Sequence, residues 1–135
     1  MEQKDFLMRE IEKIGLFLQL IFDKLRGKDV SYNLILEKQF EDIKIQLLDE
    51  TGFNLEVFLS LKESEVAEYI AQFHGFNAAN IELLADVLKE MGEKSSLKNY
   101  SGSALKLYDL CNSLDKTFSF EREAKIHELK NSYPY

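Results

Sequence analysis

The sequence predicts an all-α fold: six or seven helices forming antiparallel hairpins, partly tetratricopeptide-like, packed around a long N-terminal helix. Three observations carry that prediction. Apolar residues recur at steps of three and four along most of the chain, the spacing of one helix face and not of a strand. Proline occurs once in 135 residues, at Pro134, so few helix breaks are forced. The six glycines stand singly, at positions 15, 27, 52, 75, 92 and 102, several of them where a periodic run ends.

The first helix is the clearest. Leu7, Ile11, Ile14, Leu18, Ile21 and Leu25 share one face, and Phe22 widens it. At about 100° per residue, Leu16 and Leu20 fall on the opposite face among Arg9, Lys13, Asp23 and Lys24, with Phe17 on the flank. A helix that is apolar on most of its circumference is normally buried. The middle of this helix is therefore expected to be covered on two sides. Either later helices of the chain wrap it, or a second copy covers Leu16, Phe17 and Leu20, which are the candidate protein interface. Wrapping within one chain is the plainer expectation.

Gly27 is placed to end this helix, with Lys24, Arg26 and Lys28 near its negative pole. Ser31 suits the N-cap of a second helix over 32–49, whose face reads Tyr32, Leu36, Phe40, Ile43 and Leu47. The short turn predicts an antiparallel hairpin, closed by Gly52. Asn54 can cap a short helix with Leu55 and Phe58, and Ser64 another with Val66 and Ile70, ended by Gly75. Asn77 caps a longer helix through Ile81, Leu84, Leu88 and Met91 to Gly92. A further helix carries Leu97, Tyr100, Ala104, Leu107, Cys111 and Leu114, and Ser119 begins a last one with Phe120, Ala124, Ile126 and Leu129. Residues 131–135 are expected to be a flexible tail. No linker or low-complexity run divides the chain, so residues 1–135 are read as one domain.

The formal charge is −7, from 24 acidic and 17 basic residues. Nucleic-acid backbones and anionic membranes call for a basic patch. The most basic local set, Lys24, Arg26 and Lys28, is bracketed by Asp23 and Asp29. Neither partner is expected. The apolar run of residues 14–22 is too short to span a bilayer, and no leader pattern precedes it. One cysteine excludes an internal disulfide framework and suits a reducing compartment. A cytoplasmic location is the expectation.

The segment from Ala85 to Lys116 resembles a tetratricopeptide repeat, a helical hairpin of about 34 residues. Leu88, Met91 and Gly92 stand where its first helix carries a bulky residue, a leucine and a small residue. Ala104, Tyr108 and Cys111 occupy the alanine, aromatic and small positions of its second helix. Gly92 and Ala104 would let the two backbones approach, with Leu88 and Tyr108 filling the flanks. The chain departs from the pattern at Ser95, where the repeat has tyrosine, and at Lys116, where it has proline. No second good copy is present, since the outline over 17–40 has Tyr32 where alanine belongs. With its long first helix, the chain looks like a group of small bacterial all-α proteins. The resemblance implies protein-binding scaffolding and no chemistry, while a concave peptide groove usually needs ~3 repeats.

Candidates for chemistry are few. His127 has Glu123 one turn back, but a metal site needs more ligands, and the pair reads as a solvated helix contact. His74 beside Gly75 reads as a helix-end residue. Cys111, on an apolar face, reads as a small core residue, because a nucleophile needs a base and access. The charges of Glu37, Glu41 and Lys44 read as a solvated helix face, and the glycines form no phosphate loop. Tyr133, Pro134 and Tyr135 could dock in an apolar groove, though a frayed terminus is the simpler reading. The sequence thus predicts a non-enzymatic interaction or scaffold protein without cofactor or metal, binding a protein partner and open to homodimerisation. The alternative is a helical carrier whose ten phenylalanines line a cavity for a small apolar ligand.

Overall fold

The computed structural model describes residues 2–27, 33–95 and 98–132, and among these it is helical without a strand. The helices are α1 (Glu2–Gly27), α2 (Asn33–Thr51), α3 (Leu55–Leu59), α4 (Glu63–Ile70), α5 (Ala78–Ser95), α6 (Lys98–Leu114) and α7 (Phe120–Ser132).

The tightest pair is α5 and α6, and small residues make it so. A Cβ on Gly92 would lie 2.2 Å from the Ser101 Oγ and 3.1 Å from its backbone nitrogen. The residue facing Gly92 is thus Ser101, and Ala104 is buried one turn further along. Tyr108 donates to Asp86, and Cys111 lies against the Ala78 carbonyl, so the two helices run antiparallel. Leu88, Leu107 and Tyr108 are fully enclosed on either side of the crossing.

Helix α1 lies on α5. Ile14, Leu18, Ile21 and Leu25 are buried, whereas Leu7 at the overhanging start is 40% exposed. One polar side chain is sealed into this contact. Asn80 donates from Nδ2 to the carbonyls of Ile11 (2.9 Å) and Gly75 (2.8 Å). A Cβ on Gly15 would approach the Asn80 Oδ1 to 3.0 Å, so the glycine inside α1 makes room for it. Gly75, expected to end α4, instead lets the chain pass close to Ile14 and Glu10. Helix α4 has already ended at Ile70.

The proposed turn between α1 and α2, with Ser31 and Tyr32, lies outside the described residues. Among those described, the close partner of α1 is α5 and not α2. Helix α2 meets α3, and Phe40 meets Tyr100 of α6 edge to face. Gly52, at φ +81, closes α2 as expected. Asn54 caps α3 through the Val57 amide. Helix α4 begins one residue before Ser64, because Glu65 reaches back to accept from the Lys62 amide (2.8 Å). Phe53 is buried among the rings of Phe58, Tyr69, Phe73 and Phe76.

Asn77 and Ser119 cap α5 and α7 as expected, through the amides of Asn80 and Arg122. Helix α7 continues through Asn131 and Ser132, where a flexible tail is expected from the sequence. Backbone hydrogen bonding outlasts the apolar pattern there, since the pattern reports only the packed face. Tyr133, Pro134 and Tyr135 lie outside the described residues.

Candidate functional site

The rear of α1 is bare. Leu16 is 70% exposed and Leu20 60% exposed, while Phe17 is half-buried against the core. The expectation that later helices of the chain cover this face is overturned. Helix α5 takes only the front stripe, and residues 12, 13, 16, 19, 20, 23 and 24 are all exposed. Gln19 donates to the Asp23 carboxylate (3.0 Å), and Arg26 lies over the Phe22 ring.

A second apolar surface lies at the α6–α7 corner. Leu114, Phe118 and Phe120 are exposed, and the two rings meet edge to face at 4.8 Å. Sequence reasoning placed Leu114 and Phe120 on helix faces and missed this cluster. A signal was available. Phe118 precedes the Ser119 cap, where an apolar residue usually packs on the fourth helical position. That position is Glu123, so Phe118 lacks the usual apolar partner one turn in and packs on Phe120 instead.

A charged cluster joins α7 to α5 and α6. Arg122 is buried at 4% exposure. Its Nε and Nη2 donate to Glu82 Oε1 at 3.0 and 2.9 Å, its Nη1 to Asn112, and its Nη2 to Asp115. Lys125 bridges Glu82 and Asp86, each at 3.0 Å. Burial raises the Glu82 carboxyl, but hydrogen bonds from Lys125 and Arg122, and their charge, outweigh it and hold the group below its usual range. Burial pushes the Tyr108 phenol far upward, reinforced by Asp86, so it remains a donor to that carboxylate at 2.5 Å. The arrangement pairs acid with base and works as a latch.

Beside it, a cleft of about 490 Å3 is lined by Phe22, Arg26, Glu90 and Glu93 and by Lys89, which pairs with Glu93 and Glu128. A groove of about 240 Å3 brings Phe6 and Glu10 near His74. Among the described residues no three His, Cys, Asp or Glu are grouped to hold a metal ion. Burial pushes the Cys111 thiol up to about 12, far from a reactive thiolate. His127 neighbours Asn131 at 3.0 Å, while Glu123 accepts from Asn112, so the expected Glu123–His127 contact is replaced by two others. Lys44 pairs with Glu41 and, from outside its own helix, with Glu56. Among the described residues no helix is long and apolar enough to cross a membrane. No protein family, curated protein or solved structure matches the chain.

Proposed function

We propose that this chain is a non-enzymatic helical interaction protein, cytoplasmic, that binds another polypeptide through the rear of α1. The observation that carries the reading is the exposure of Leu16 and Leu20 at mid-helix. Exposed apolar residues grouped on one rigid element suit a protein contact. The α5–α6 hairpin, with its small residue at the crossing and Tyr108 and Leu88 enclosed, supports the tetratricopeptide-like part of the proposal. In that role the hairpin is the rigid support on which α1 is mounted, and it is not a peptide groove. The carrier alternative is less favoured. Phe53, Phe58, Phe73 and Phe76 pack ring on ring and so fill the space a ligand would need.

A photo-cross-linking residue at position 16, compared with one at exposed Lys38, tests the reading in living cells. Polypeptide adducts formed from position 16 and absent from position 38 are expected. No adduct from position 16 overturns the proposal.

A further inference from the structure

We infer that the polypeptide meeting the rear of α1 is a second copy of this chain, docked with its α1 antiparallel about a two-fold axis level with Leu18. The inference rests on the interaction reading above and adds the occupant, its direction and its register.

The rear face follows a heptad-like seam in which Lys13, Leu16, Leu20 and Asp23 succeed one another at steps of three and four. All four are exposed. A two-fold axis at the level of Leu18 places Leu16 of each copy against Leu20 of the other. The next layer outward on either side then pairs Lys13 with Asp23 of the second copy. The flanks obey the same rule. Glu12 and Arg26 share one side of the seam and Glu10 and Lys24 the other, at about 100° per residue. In an antiparallel pair like flanks face each other, which sets Glu12 toward Arg26 and Glu10 toward Lys24, with Glu10 also packed on Gly75 and Arg26 on Phe22 of their own chain. The seam and both flanks therefore bring opposite charges together.

The parallel arrangement fails on the same residues. It would stack Lys13 on Lys13 and Asp23 on Asp23 within the seam, and like charges at such positions select against a partner. Charge thus decides direction, and the leucine pair supplies the apolar centre. Two leucines per copy make a small core, so the association is weak.

Sedimentation equilibrium of the full chain is the test, run on wild type, Lys13→Asp, Asp23→Lys and the doubly reversed K13D/D23K. Each single reversal sets like charges together twice per dimer and is expected to weaken association at least ~10-fold. The double reversal restores opposite charges and is expected to return the constant to within about threefold of wild type. Far-ultraviolet circular dichroism confirms that each variant is folded, as surface positions permit. In a second arm, chains carrying Lys13→Cys or Asp23→Cys are treated with a short bismaleimide, alone and mixed. The antiparallel register predicts a dimer adduct chiefly in the mixture. A wild type that stays monomeric at high concentration, a double reversal that fails to rescue, or adducts within the single samples each overturns the inference. If the position-16 cross-link then joins a different polypeptide, the interaction reading stands without this one. If no adduct forms, both fall.

Discussion

Helices α1 and α7 are both joined to α5, and by opposite means: α1 packs on it directly, whereas α7 lies against α6 and reaches α5 through side-chain ion pairs. Helix α1 buries four aliphatic side chains and a single amide, Asn80, which spans two backbone carbonyls. Helix α7 buries two, Ile126 and Leu129, and is otherwise held by Arg122 and Lys125 on Glu82, Asp86 and Asp115. An apolar contact tolerates salt and acid, whereas an ionic one depends on both partners staying charged. The two helices should therefore come loose under different conditions. The helix with the larger apolar contact is also the one with the bare rear face.

The largest expected effect lies at the front of α1. Leu18 is fully buried, and Leu18→Ala should cost about 2–5 kcal/mol through lost burial and the cavity left behind. Urea unfolding should show a lower midpoint at unchanged slope. The loss should not change between low and high salt. A salt-dependent loss would mean that charge contributes to α1 docking, and the contrast with α7 would break.

At α7 the expected loss is smaller and depends on solution conditions. Arg122→Ala leaves Glu82 and Asp115 without their shared cation, and Glu82 retains Lys125. A cost of about 2–3 kcal/mol follows, below the usual figure for breaking a buried pair because Glu82 keeps Lys125 and Asp115 is partly exposed. Acid should reproduce it in the intact protein. Because Glu82 titrates below its unfolded value, its stabilisation is present above the ordinary carboxylate range and is lost as pH falls through the folded value. Lys125 is the converse case. Burial alone would lower it, but hydrogen bonds and charge from Asp86 and Glu82 raise it, so its contribution persists until pH rises through the folded value. Glu90, raised by burial and then by Glu93, opposes the acid effect on global stability. The readout should accordingly be local. Hydrogen exchange by mass spectrometry should show α7 losing protection as pH falls below the ordinary carboxylate range while α1 keeps it. Equal loss in both helices would dissolve the distinction.

Much of this was legible in the sequence, and the limits have physical causes. The front stripe of α1, the α5–α6 crossing at Gly92 and the caps Asn54, Asn77 and Ser119 could be read because periodicity and capping are local properties. The partner of a stripe is not local. The sequence shows that Ile14 and Leu18 are buried, but not that α5 covers them in place of α2. The same gap explains the misreading of the rear face. Leu16 and Leu20 look like residues awaiting cover, and one sequence cannot say whether that cover lies in the same chain. The latch was missed for a related reason. Arg122 and Glu82 are 40 residues apart, and nothing in either neighbourhood distinguishes them from surface charges. Asn80 was passed over because a polar residue on a helix normally reads as solvent-facing.

The smallest effect concerns Gly15 and Asn80, and it probes the one polar element in the apolar contact. Asn80→Ala removes two hydrogen bonds and leaves the carbonyls of Ile11 and Gly75 short of a donor, for a loss of about 1–3 kcal/mol. Gly15→Ala alone should be close to neutral. Alanine favours the helix by about 1 kcal/mol over glycine, but its Cβ would press on the Asn80 Oδ1 at 3.0 Å. In the Asn80→Ala background that obstruction is gone, so Gly15→Ala should then stabilise by several tenths of a kcal/mol or more. A double-mutant cycle in urea would report this as a coupling of at least ~0.5 kcal/mol. Additive values would mean that α1 shifts to accommodate the methyl, and hence that its seat on α5 is looser than four enclosed aliphatic side chains imply.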